Sequence, residues 1–196
     1  MSIYLVIGII AGIIQLYAII PYARSILARE TRPNIVSWTL WTLLQVVTIW
    51  IMVTSSEGMS WSLLLLIAMT VNTSLVVVLC LLGYGDKKFG VIEICSLIIV
   101  IVAAGLYAVT HNGPWAIALN IIGDFVAASP TLWKTWRDPM SEAVEPWAIV
   151  TAAAILAVLS VEAPHVESVA FPIYLVCVNG LIAGLAFVGQ KKKSGH

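Results

Sequence analysis

Apolar residues in this chain gather into seven long runs, near residues 3–27, 34–53, 59–83, 90–110, 114–136, 147–161 and 169–190. Short polar stretches separate them and hold most of the charge. Each run approaches the roughly 20 apolar residues that a helix needs to cross a bilayer. The pattern therefore predicts an all-α integral membrane protein with seven transmembrane helices, of which the sixth is the shortest. The first run follows Met1-Ser2-Ile3-Tyr4, which lacks the basic segment of a cleavable signal, and it is too long for a signal core. It is read as the first helix.

Polar residues and prolines inside the runs are the next signal. Gly123 to Pro130 lies in the middle of the fifth run and contains Asp124, six residues before Pro130. A charge at mid-bilayer opposes insertion by roughly 3 kcal/mol, and an interior proline costs a helix about as much. Gln15 precedes Pro21 by the same six residues in the first run. Asn72 follows Pro21 by 51 residues, and Asn179 follows Pro130 by 49. A short turn with a proline at its end also precedes the second and sixth runs, at Pro33 and Pro146, where proline suits the first position of a helix.

These matches predict an internal repeat. The expected divisions are a first three-helix bundle over 1–83, a linker helix over 84–113, a second bundle over 114–190 and a cytoplasmic tail over 191–196. Three helices end on the side opposite their start, so one extra crossing restores the orientation. The two bundles would then be parallel repeats about an axis along the membrane normal.

Composition and charge fix the setting. The chain is 61% hydrophobic with a mean hydropathy of +1.01, and its 10% charged residues fall far below the roughly 25% of soluble domains. All ten Lys and Arg residues fall on one side of the predicted layout: Arg24, Arg29, Arg32, Lys87, Lys88, Lys134, Arg137 and Lys191 to Lys193. The opposite loops carry Glu57, His111, Glu162, His165 and Glu167. The positive-inside rule then places the amino terminus outside and the carboxy terminus in the cytoplasm. The short loops suggest a bacterial inner membrane. A net charge of zero carries no message about partners, and nucleic acid is not expected as one.

Several function classes drop out. Cys80, Cys95 and Cys177 lack metal-ligand or disulfide spacing, and His111, His165 and His196 are scattered in loops or the tail. No catalytic cluster, metal site or cofactor is expected, and the chain is not read as an enzyme. A retinal protein needs a lysine within the seventh helix, and none precedes Lys191 there. A phosphate-cradling glycine motif is also missing.

With seven runs, two proline-bearing first helices and Asn72 and Asn179 in the third helices, the chain resembles the SWEET and PQ-loop group, whose helices follow a three-plus-one-plus-three plan. The resemblance covers nearly the whole chain. It implies hinges at Pro21 and Pro130 and substrate contacts at Asn72 and Asn179. It also implies an aromatic or small polar pocket residue near the outer end of each unit's second helix, a place held by Trp50 in the first unit. The Pro-Gln dipeptide that names the PQ-loop group is replaced by Pro21-Tyr22 and Pro130-Thr131, and the sixth helix has no counterpart of Trp50. Asp124-Phe125 resembles the proton-linked branch typified by the lysosomal cystine carrier, which implies proton coupling at Asp124, with Gln15 as its counterpart. Arg32 to Trp38 and Asp124 to Lys134 also resemble an uncharacterised bacterial group of seven-helix proteins.

The residues themselves allow more than one reading. A mid-membrane carboxyl group can bind and release a proton as access alternates, or it can tie the fifth helix to a neighbour by a hydrogen bond. Asn72 and Asn179 offer amide donors and acceptors suited to hydroxylated or zwitterionic solutes, and the same groups serve in bonds between helices. Trp38, Trp41 and Gln45 share one face of the second helix, which suits a pocket lining, although Trp38, Trp61, Trp115 and Trp147 also suit interfacial anchoring. Asn120 lies one turn before Asp124 and is a candidate partner for it. The leading expectation is a carrier of a small, sugar-like polar solute acting by alternating access. A proton-coupled amino-acid carrier and a non-transporting receptor or scaffold are the alternatives. The expected partners are the lipid bilayer, the solute and protons, with a homo-oligomer left open.

Overall fold

A computed structural model of the chain describes residues 2–29, 33–55, 59–85, 87, 90–142 and 144–194, without the side chains of 130, 134, 141 and 192–194. Arg32, Glu57, Lys88 and His196 therefore lie outside the described residues, as do the side chains of Pro130, Lys134, Lys192 and Lys193. The described elements are helical: α1 (Ile3–Tyr17), α2 (Ile19–Leu27), α3 (Ile35–Thr54), α4 (Leu63–Leu79), α5 (Val91–Thr110), α6 (Gly113–Arg137), α7 (Val144–Leu159) and α8 (Val166–Ser194). A π turn over Cys80–Tyr84 extends α4, and a 3-10 turn over Pro139–Ser141 precedes α7.

Five of these are long and apolar enough to cross a membrane: Ile3–Leu27, Ile35–Thr54, Leu63–Tyr84, Val91–Thr110 and Val166–Lys191. A sixth span results if Gly113–Ser129 and Thr131–Arg137 count as one bent helix. The predicted sixth run becomes α7, which has 16 residues and a length of about 24 Å at 1.5 Å per residue. It is short against a hydrocarbon core of roughly 30 Å.

Local chemistry sets the boundaries. Asn34 caps α3 by accepting the Val36 amide at 3.0 Å, so Pro33 stands before the cap and not at the first helical position expected for it. Pro146 is the third residue of α7, where a missing N–H costs little because first-turn amides have no helical acceptor. Interior prolines behave differently. Pro21 cannot donate to the Tyr17 carbonyl, and the first run divides at Ala18 into α1 and α2. Around position 130 the axis of α6 turns by 44°. The Val126 carbonyl, four residues before that proline, accepts the Ser129 hydroxyl at 2.8 Å.

Packing has a regular plan. The first and second runs each lie against α4, through α1 and α3, while α6 and α7 each lie against α8. Across the middle, α1 packs on α7 and α3 packs on α6, with weaker contacts of α4 with α7 and of α3 with α8. Exchanging α1, α3 and α4 for α6, α7 and α8 leaves this set of neighbours unchanged. Helix α5 stands outside the exchange and packs on α6 and α3.

The two ends of the molecule differ. Near the amino terminus, Ala11, Met52, Leu65, Leu66, Ala153, Ala154, Ala157, Phe171 and Leu175 form one buried cluster drawn from both halves of the chain. A second cluster joins Ile51 and Tyr107 to Ala116 and Ile117. Toward the end that carries Arg24, Arg29, Arg137 and Lys191, each cluster stays within one half. Ile26, Val76, Leu79 and Cys80 form one, and Ala128, Val178 and Ile182 form the other. Helix α1 packs along α7, whereas α2 beyond the break finds its partner in α4.

Close approach at the amino-terminal end depends on Gly8. A Cβ there would sit 2.7 Å from the Trp61 carbonyl oxygen, against 3.3 Å from that of Leu64 for one at Gly12. Backbone cannot yield as a flexible side-chain tip does, and small residues are what lets membrane helices approach. Gly8→Ala is expected to destabilise the detergent-solubilised protein by about 1–3 kcal/mol, with Gly12→Ala closer to the parent. Thermal unfolding followed by intrinsic tryptophan fluorescence checks the order. Equal curves for the two variants would refute the tight contact.

Candidate functional site

Among the described residues, the polar side chains buried along the apolar spans include Gln15, Gln45, Thr48, Asn72, Thr73, Asn120, Asp124 and Asn179. A polar group in hydrocarbon must find its partner within the protein, so the pairings show what each one does.

Asn72, on α4, donates from Nδ2 to the backbone carbonyl of Gln15 at 2.6 Å, beside the break between α1 and α2. Its Oδ1 is buried and accepts no hydrogen bond among the described residues. The Gln15 side chain is itself buried, but its backbone is what engages Asn72. Gln45 accepts the Thr73 hydroxyl at 2.9 Å and so ties α3 to α4. These contacts lie within the first half of the chain.

Asn120 crosses between the halves. Its Nδ2 donates to the Leu44 carbonyl at 2.9 Å and to Thr48 Oγ1 at 2.5 Å, while Thr48 turns back onto the same carbonyl at 3.0 Å. The partnership with Asp124 expected for Asn120 is therefore not formed; the backbone of α3 takes its place. Its Oδ1, like that of Asn72, is buried without a partner among the described residues. Asp124 instead accepts the Tyr174 hydroxyl at 2.6 Å, which binds α6 to α8. Tyr174 also packs against both the amino-terminal cluster and the Ala128 cluster. Asn179, on α8, is 9% exposed, and its side chain makes no hydrogen bond among the described residues.

The aromatic candidates lie apart from these amides. Trp50 is 38% exposed and meets the Tyr107 ring of α5 edge-on with centroids 5.0 Å apart, so it serves the α3–α5 contact where a pocket lining was expected. Trp41 stands edge-on to Trp38 at 5.2 Å, and Trp38 packs against Tyr22 at 5.2 Å. This aromatic series begins one residue after Pro21. An open apolar groove of about 460 Å3, lined by Ile49, Ile67, Thr70, Val71, Ser74, Leu75 and Val78, contains none of the predicted site residues. Among the described residues, no three His, Cys, Asp or Glu side chains come together as metal ligands.

Sequence reasoning missed Tyr174, Thr48 and Thr73. A tyrosine or threonine in an apolar run carries no periodic signal. Their partners lie 50, 72 and 28 residues away in sequence, at Asp124, Asn120 and Gln45. Comparisons with family models, curated proteins and solved structures return no match for the chain.

The three asparagines should differ when truncated. Asn72→Ala and Asn120→Ala each remove a bond between helices and are expected to lower stability by about 0.6–1.7 kcal/mol, the range for hydrogen bonds in membranes. Asn179→Ala removes none and is expected to stay within about 0.5 kcal/mol of the parent. Thermal unfolding of the solute-free protein in detergent tests this ranking.

Proposed function

We propose that the chain is a seven-pass carrier built of two parallel three-helix units, residues 1–83 and 114–190, joined by a linker helix. It moves a small, sugar-like polar solute by alternating access. The observation that carries this reading is the set of helix neighbours, which is unchanged when one unit is exchanged for the other. An alternating-access carrier needs two bodies that rock against each other around a site. Each unit supplies a buried mid-span amide, Asn72 and Asn179, and each first helix is interrupted, at Ala18 and around 130.

The contrast between the ends supports the same reading. Apolar clusters join the units at the amino-terminal end and stay within each unit at the basic end. That is the pattern of a carrier closed on one side. With the amino terminus outside, as the charge asymmetry suggests, the closed side faces out. The resemblance to the SWEET and PQ-loop group adds the expectation that the amides contact the solute. A receptor or scaffold with the same fold would hold a fixed cavity and pass no solute.

Purified protein screened by thermal shift against sugars, amino acids and nucleosides at two pH values should show stabilisation by one class. Proteoliposomes should then accumulate that solute, and Asn179→Ala should weaken its binding about tenfold or more, since the change removes no internal bond. Stabilisation without flux in proteoliposomes would favour the receptor.

The Asp124–Tyr174 hydrogen bond favours a second version, a proton-coupled amino-acid carrier, because it places a buried carboxyl group against a hydroxyl within the second unit. In that version uptake rises with an imposed pH gradient, and Asp124→Asn abolishes the response. Gradient-independent uptake in the parent protein would remove this version and leave the first.

A further inference from the structure

At the amino-terminal end two hydrogen bonds run from the first half of the chain to the start of α8. The Ser62 hydroxyl, at the foot of α4, donates to the Ser168 carbonyl at 3.0 Å, and the Ser55 hydroxyl donates to Glu167 Oε1 at 3.2 Å. Ser62 and Ser168 are fully buried, and Glu167 is 7% exposed. The Ser168 carbonyl has a particular need. In a helix it would meet the amide four residues on, but that residue is Pro172, which has no N–H. A proline inside α8 thus removes the internal donor, and a serine 106 residues away in sequence supplies one across the interface. Beside this bond lies the apolar cluster that joins the two halves, with Leu65 and Leu66 following Ser62 and Phe171 preceding Pro172.

We propose that Ser62 and the carbonyl freed by Pro172 form the latch that holds the amino-terminal end shut, and that parting them is the step that opens it. The inference rests on the alternating-access reading and adds the bond on which that end turns. In the closed arrangement the Ser62 hydroxyl satisfies a carbonyl whose regular helical donor, four residues on, is a proline. Opening brings water to the carbonyl in place of the serine, so the latch releases without leaving a bare polar group. A buried acceptor deprived of its donor destabilises only the closed state. Ser55 and Glu167 form a second tie next to the first, and the Glu167 carboxylate lies against the start of α6, where a Cβ on Gly113 would be 2.7 Å from Oε1.

The test uses full-length protein in detergent, with Cys80, Cys95 and Cys177 replaced by Ala and a reporter thiol introduced by Ala157→Cys. Ala157 is fully buried in the cluster that joins the halves, so its maleimide labelling rate reads opening of that end. Ser62→Ala is expected to speed labelling roughly tenfold by leaving the Ser168 carbonyl unpaired in the closed state. Adding Pro172→Ala restores an in-helix donor and should bring the rate back to about threefold above the parent, the rate also expected for Pro172→Ala alone. Labelling of Ser62→Ala at the parent rate overturns the latch, and so does an increase that Pro172→Ala leaves untouched. If Ser62→Ala fails to fold, Pro172→Ala alone decides: an unchanged rate refutes the proposal. Labelling does not depend on any solute. A latch that responds in a protein with no flux sinks the carrier reading alone, and a silent latch in a protein that transports sinks this inference alone.

Discussion

Inside hydrocarbon a backbone carbonyl without a donor has no water to turn to, and each interior proline of this chain deprives one. The carbonyls concerned belong to Tyr17, Val126 and Ser168, four residues before Pro21, Pro130 and Pro172. Each is handled differently, and the differences shape the molecule. At Pro21 the helix divides, and the amide of Asn72 bonds to Gln15 beside the break. At Val126 the repair is local, from Ser129 within the same helix. At Ser168 the donor comes from the other half of the chain. A local repair lets a helix bend without fixing it to anything, whereas a distant one converts a backbone defect into a tie between bodies.

Packing follows from the same solvent. Lipid is as apolar as leucine, so helices associate through close approach and polar bonds more than through burial of apolar area. The α1–α7 contact is made accordingly, with Ala11 beside Ala153, Ala154 and Ala157, while α1 meets the approach to α4 with Gly8 pressed against the backbone at Trp61. Helix α1 packs on both α4 and α7, whereas α2 beyond the break keeps α4 as its main partner. One proline therefore marks both a break in hydrogen bonding and the place where the two halves part.

Helix positions were legible in the sequence because a membrane span needs a long apolar run, and the runs near 3–27, 34–53, 59–83 and 90–110 reappear within a few residues as α1 with α2, α3, α4 with its π turn, and α5. Helix α8 is longer than its run because Val166 to Ser168 at one end and Lys191 to Ser194 at the other continue the helix beyond the apolar core. The polar positions were legible as well, since Gln15, Gln45, Asn72, Asn120, Asp124 and Asn179 stand out against apolar neighbours and all are buried. Their partners were not. Asn120 points to Leu44 and Thr48 rather than along its own helix to Asp124, because helix rotation is set by packing that no single run encodes. Trp50 likewise meets a neighbour that its own run does not encode, Tyr107 on α5. Pro172 carries no such signal in the sequence, since the serine that answers it stands before α4, 106 residues from Ser168.

The two halves share a pattern of helix neighbours but differ in the bonds their polar groups make. Gln15 and Asp124 occupy matched places before the two prolines, yet one is engaged through its backbone by Asn72 and the other through its carboxyl group by Tyr174. In the second half, Asn179 stands where Asn72 does and makes no bond among the described residues. The amide of the first half is therefore half spent on holding a broken helix, with one acceptor left over. The amide of the second half is uncommitted in both its donor and its acceptor. The symmetry that governs which helices are neighbours thus does not extend to the groups between them.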